Sequence, residues 1–220
     1  MSRLRLGWVA AGYLAGTIPS AYVAARLSGA RTVVDRASAS GSGGDAHHLL
    51  ASNAGPAVAA GAMAGDVAKA ALVALAARRA GLEPGWRAAT AVAAVAGHTF
   101  PFYARPFAGR GLAAAAGVTL VNLPAEMVIA GSVLLAGKAL GHTGPGSTLG
   151  FAAVPVVAAV RGRPRAMVAM GACVFGIILA RRLVGVRPGA ARDGWATASA
   201  RRLFFDSDDA ASPRSGPGNG

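Results

Sequence analysis

The chain has 220 residues, 54% of them hydrophobic and only 14% charged, where soluble domains carry about 25% charged residues. Its mean hydropathy is +0.46, and 22 basic against 9 acidic residues leave a formal net charge of +13. This balance excludes an ordinary soluble enzyme and a disordered chain. It predicts an all-α, polytopic integral membrane protein of about six or seven transmembrane helices.

The basic residues are arginines except Lys69 and Lys138. They fall between apolar stretches, as at Arg26, Arg31 and Arg36, at Arg78, Arg79 and Arg87, and at Arg161, Arg163 and Arg165. That spacing reads as the loops of a membrane protein, so no nucleic-acid partner is expected. The single cysteine, Cys173, sits in an apolar run. It excludes an internal disulfide and a C-x-x-C centre, and packing is its expected role.

Residues 6–25 carry no charge and are long enough to cross a bilayer. They read as a retained first helix rather than a cleaved signal, because further apolar segments follow. Residues 29–52 are polar and rich in Gly, Ser and His, and read as a long loop. The next apolar stretch, 54–77, contains Asp66 and Lys69. Residues 88–104 are uncharged. Residues 111–137 contain only Glu126 and Lys138 lies just beyond; the Leu123-Pro124 step divides them into two short helices. Residues 139–160 begin Gly- and Pro-rich, so a helix is expected only from 149 onward. Residues 166–180 form the last apolar run. Residues 1–185 thus read as one transmembrane domain and residues 186–220 as a disordered polar tail. With seven helices and an outside N-terminus the arginine cluster at 161–165 falls outside, against the positive-inside rule; a count of six moves it or the tail.

Two glycine-rich segments suit an anion. In Ser38-Ala39-Ser40-Gly41-Ser42-Gly43-Gly44, successive backbone N–H groups can turn toward one point, and Arg36 lies just upstream. A flexible linker has the same composition. In Gly109-Arg110-Gly111 an arginine opens an apolar helix, where free N–H groups and a guanidinium fork fit phosphate oxygens. A plain inter-helix turn reads equally well. Asp66 and Lys69 lie three apart, on one helix face, and ionisable groups at membrane depth are functional candidates or helix-locking ion pairs. His98 precedes Phe100-Pro101 near a helix end. No Cys/His/carboxylate spacing suggests a metal, no cofactor fingerprint appears, and no Ser/His/Asp triad can be assigned.

Taken in order, these motifs resemble the bacterial acyl-phosphate:glycerol-3-phosphate acyltransferases of the PlsY type. Gly12-Tyr13-Leu14-Ala15-Gly16-Thr17-Ile18-Pro19 is similar to the family's G-Y-L-x-G-S-I-P. Ser40, Gly41 and Gly44 match its S-G-N-x-G-A-T-N-x-x-R loop, and Asp66-Val67-Ala68-Lys69 its D-V-x-K. Gly97-His98-Thr99-Phe100-Pro101 resembles G-H-N-F-P, Gly109-Arg110-Gly111 resembles G-G-K-G, and Ser147 matches the third-motif serine weakly. Arg181-Arg182-Leu183-Val184-Gly185 resembles the R-L-L-x-G ending, without the H-R-x-N before it.

The resemblance implies a multi-pass enzyme of the bacterial inner membrane that needs no cofactor or metal. It implies acyl transfer from acyl phosphate to glycerol 3-phosphate, giving lysophosphatidate, with membrane lipids around it. It implies Ser40, Lys69 and Arg110 as catalytic residues. The substrates would be held by Arg36, Gly41, Ser42, Gly43, Gly44, Asp66, His98, Gly109, Gly111 and Ser147. Departures stand beside it: Ser42 and His47 replace motif asparagines, Leu50 the motif arginine, Arg110 the lysine and Thr99 an asparagine. A catalytically degenerate member that binds a phosphorylated lipid or metabolite, and a small transporter or scaffold using Asp66, Lys69 and Glu126, are the alternatives.

Overall fold

A computed structural model describes residues 2–30, 46–103 and 110–183. Among them are nine helices and no strand. In chain order they are α1 (Ser2–Gly16), α2 (Ser20–Leu27), α3 (Ala46–Ala54), α4 (Pro56–Arg79), α5 (Pro84–Thr99), α6 (Leu112–Asn122), α7 (Pro124–Ala139), α8 (Thr143–Val160) and α9 (Arg165–Leu183).

The first expected span is not continuous. Thr17 N–H still reaches the Tyr13 carbonyl at 3.0 Å, but Ile18 N–H reaches only Ala15, and Pro19 has no N–H to give. The helical ladder therefore stops, and α2 restarts after the proline. The segment expected as one long loop contains α3, which ends at Gly55 in a left-handed conformation (φ +95) that only glycine adopts without strain. Proline at the first position then opens α4 and, further on, α5, where its missing N–H costs nothing. The Leu123-Pro124 step does divide α6 from α7. α8 starts at Thr143, well before the expected 149. Pro145 lies in its first turn, where proline is tolerated, and the Ser147 and Thr148 hydroxyls both bond the Gly144 carbonyl.

Three helices, α4, α8 and α9, are long and apolar enough to cross a membrane. Their outward faces carry large apolar side chains: Leu72 and Leu149 are each 63% exposed and Val160 83%. In water that surface would be costly; against acyl chains it is not.

The buried seams are built from small residues. Alanines dominate the core, and glycines let backbones touch. A Cβ on Gly16 would stand 2.1 Å from the Ala94 carbonyl oxygen, and one on Gly97 2.1 Å from that of Tyr13. α1 and α5 are thereby packed closer than any side chain permits. Gly117 plays the same part between α6 and α4, and Gly150 between α8 and α7. Lipid supplies no hydrophobic drive between helices, so such close packing is what holds them together.

The contacts define two ends. At one, which we term the far end, Arg5 meets Glu83, Arg78 meets Val121, and Arg163 meets Glu126. At the other, which we term the site end, Lys69 meets Ile18 and Arg182 meets Gly144. Hence α1, α5, α7 and α9 run from the far end to the site end, and α4, α6 and α8 run back.

Candidate functional site

The centre of the site end is a buried carboxylate. Asp66, on α4, has a side chain only 3% exposed. Lys69 Nζ lies 2.8 Å from its Oδ1, the contact their three-residue spacing foretells. His98, at the last turn of α5, places Nδ1 3.4 Å from the same oxygen. His47, on α3, places Nε2 3.3 Å from Oδ2. Lys69 also donates to the Ile18 carbonyl at 2.5 Å, one of the groups freed by the α1–α2 break. A charge buried this deeply is tolerable only when paired, and here Lys69 from α4, His98 from α5 and His47 from α3 surround it.

Tyrosines brace the same break. Tyr13 donates to the Phe100 carbonyl at 2.9 Å, and Tyr103 donates to the Thr17 carbonyl. Partial burial and the neighbouring Tyr13 raise the Tyr103 phenol above its ordinary pKa, so it stays a neutral donor.

Thr99, directly after His98, is buried, and its hydroxyl has no hydrogen-bond partner among the described residues. It faces Gly111, whose left-handed backbone (φ +83) precedes α6. A Cβ there would stand 2.8 Å from the Thr99 oxygen. Only glycine satisfies both demands, which fixes how Arg110 enters α6. Ile178 of α9 also borders Gly111. One turn further along α9, the buried Arg182 donates to Ser147 Oγ at 2.6 Å and to the Gly144 carbonyl at 3.3 Å. Ser147 is fully buried at the start of α8.

The predicted residues therefore fall into three groups. Asp66, Lys69 and His98 form one cluster. Arg110 and Gly111 adjoin it through Thr99, and Ser147 pairs with Arg182, one turn beyond the Ile178 that borders Gly111. Arg36, Ser40, Gly41, Ser42, Gly43, Gly44 and Gly109 lie outside the described residues. In the sequence His47 reads as a departure and Arg182 as part of an ending; neither reads as a partner of Asp66 or Ser147. No local spacing rule carries such pairings, since each joins two successive helices through residues several turns apart. Glu126, weighed as an intramembrane functional group, lies at the far end, held by Arg163 at 2.8 Å and Arg161 at 3.3 Å. Among the described residues no group of three His, Cys, Asp or Glu side chains is arranged to hold a metal ion.

The family model for glycerol-3-phosphate acyltransferase matches residues 6–187. The chain belongs to this family. It is 34% identical over 157 residues to glycerol-3-phosphate acyltransferase 4 of Dehalococcoides mccartyi (strain CBDB1), covering 71% of this chain and 66% of that protein. It is 40% identical over 124 residues to the glycerol-3-phosphate acyltransferase of Pseudomonas putida (strain GB-1), covering 56% and 64%. The chain thus spans just under two thirds of the length of these curated relatives. The fold is similar to the crystal structure of PlsY, an integral membrane glycerol 3-phosphate acyltransferase, in its lysophosphatidic acid form. The TM-score is 0.69 at 25% identity, over 81% of this chain and 87% of that one. This family member is an all-helical integral membrane protein.

Proposed function

We propose that this chain transfers a fatty acyl group from acyl phosphate to a hydroxyl of glycerol 3-phosphate, giving lysophosphatidate for phospholipid synthesis. The observation that carries this reading is the gathering of Lys69, Arg110 and Arg182 at one end of the bundle, around Asp66 and Ser147. Two substrates that each bear a phosphate need such cations. Membership of the family supports the same reading.

In the reaction the hydroxyl oxygen attacks the acyl carbonyl carbon. The carbon–oxygen bond to phosphate breaks, inorganic phosphate departs, and the hydroxyl proton passes to it. An acyl phosphate is already activated, so the protein's task is positioning and charge stabilisation. In this reading Lys69 and Arg110 stabilise phosphate and oxyanion charge, with Ser40. Asp66 holds Lys69 in place, and His98 lies against Asp66. Arg36, Gly109, Gly111, Ser147 and residues 41–44 cradle the acceptor. Residues 1–185 form the working domain in the bacterial inner membrane, and residues 186–220 are a polar tail.

One observation favours a second reading, a member that binds a phosphorylated lipid or metabolite without standard turnover. Leu50 occupies the motif-arginine position and is completely buried among Ala25, Ala59 and Ala62. The position packs a core; it does not present a cation.

The experiment supplies palmitoyl phosphate and glycerol 3-phosphate to the purified protein in lipid and follows phosphate and lysophosphatidate by mass spectrometry. Turnover that disappears in Arg110→Ala supports the enzyme. A folded protein that binds glycerol 3-phosphate without turnover, beside an active relative, establishes the second reading.

A further inference from the structure

The far end of the bundle holds several arginines and, among the described residues, two carboxylates. Both carboxylates are taken. Glu83 pairs with Arg5 at 2.8 Å, and Glu126 pairs with Arg163 and Arg161. The Glu126 carboxylate keeps the Arg163 guanidinium above its ordinary pKa. Among the described residues Arg78 and Arg87 have no such partner. They converge from α4 and α5 on the last turn of α6. Arg78 donates to the Val121 carbonyl at 3.1 Å and Arg87 to Asn122 Oδ1 at 2.9 Å. They are close enough to repel one another. Arg87 Nε is buried and has no hydrogen-bond partner among the described residues.

Helix termini do not neutralise this pair. α4 and α6 end here and α5 and α7 begin here, so their partial charges of about half a unit each cancel. Two like charges and an unused donor thus remain beside one another. The place is the last turn of α4, one of the helices long enough to cross a membrane. That is the depth at which phospholipid headgroups lie.

We propose that Arg78 and Arg87 bind the phosphodiester of an anionic phospholipid at the end of the bundle remote from the candidate active site. The phosphate oxygens take the outward N–H groups of Arg78 and of the half-buried Arg87, and the acyl chains lie along the exposed apolar face of α4. Arg78 is exposed and Arg87 half-buried, so a headgroup reaches both without rearrangement of the helices. The site is independent of acyl transfer.

The test uses the full chain, purified in a neutral detergent. Dioctanoyl phosphatidylglycerol, dioctanoyl phosphatidylcholine and inorganic phosphate are titrated separately, and unfolding temperature and bound lipid by native mass spectrometry are read. Phosphatidylglycerol is expected to bind and stabilise, and the other two are not. Arg78→Gln, which removes one exposed guanidinium, is expected to weaken phosphatidylglycerol binding about tenfold, and Arg78→Gln/Arg87→Gln by a further similar factor. Arg79→Gln, its exposed neighbour, is expected to bind as the unsubstituted chain does. Equal stabilisation by phosphatidylcholine, or by inorganic phosphate, overturns the proposal. So does phosphatidylglycerol binding that Arg78→Gln leaves unchanged. Absence of binding to the unsubstituted chain also overturns it and assigns both arginines to capping α6 alone.

Discussion

Lys69 bonds at once to Asp66 on its own helix, at 2.8 Å, and to the Ile18 carbonyl across the bundle, at 2.5 Å. One ammonium group thus neutralises the buried carboxylate and caps the break that ends α1. The carboxylate needs it because it is out of water; the carbonyl, left outside the ladder that Pro19 ended, shares it with the Ser20 N–H at 3.1 Å.

Lys69→Met therefore leaves Asp66 buried with only imidazoles beside it, and is expected to cost about 3–5 kcal/mol of stability. In Asp66→Asn/Lys69→Met the loss is expected to fall short of the summed single losses by about 0.5–3 kcal/mol. Reversible unfolding in detergent across the four proteins measures this. Strict additivity would mean the two groups do not act as a pair.

Arg182→Ala removes the guanidinium that spans Ser147 and the Gly144 carbonyl. Acyl transfer at subsaturating glycerol 3-phosphate is expected to fall by about tenfold or more, the worth of one charge-assisted contact. Arg182→Lys is expected to recover only part, because an ammonium cannot reproduce a planar fork. Steady-state kinetics with both variants decide the matter, and full activity of Arg182→Ala would remove this residue from the site.

Gly16→Ala and Gly97→Ala each place a methyl group 2.1 Å from a carbonyl oxygen on the facing helix. Backbone has to move, so each is expected to destabilise by about 1–3 kcal/mol or more. Gly61, within α4, has nothing near its would-be Cβ. Gly61→Ala is expected to leave stability unchanged or raise it by up to about 1 kcal/mol through helix propensity. Thermal unfolding of the three variants compares them directly.

Glu126→Gln keeps the shape and removes the charge that Arg163 and Arg161 share. Stability is expected to drop by about 1–3 kcal/mol, while acyl transfer per folded molecule stays within about twofold, because the far end contains no part of the proposed site. A variant that is stable but inactive would contradict the separation of the two ends.

Much of this arrangement is legible in the residues. Low charge and long apolar runs give the helical membrane class, and three-residue spacing gives the Asp66–Lys69 pair. Leu123-Pro124 gives the division of α6 from α7. Where the reading failed, a local rule met a longer-range fact. The run 6–25 is uniformly apolar, yet one proline without an N–H splits it. The Gly-Pro-Gly start of α8 discourages a helix locally, yet its first turn can hold a proline, and Arg182 bonds its Gly144 carbonyl. Arg182 is unreadable as a partner of Ser147 because 35 residues separate them, and His47 as a partner of Asp66 because nothing in the sequence marks how α3 folds back on α4.

The Glu126 clamp also bears on how the chain is assembled. Glu126 precedes Arg163 by 37 residues, so α7 emerges from the ribosome well before its counter-charges exist. Until the turn between α8 and α9 arrives, the carboxylate lacks the two arginines that hold it in the folded chain. Docking of that turn therefore closes the far end last, with the pairing of Glu126.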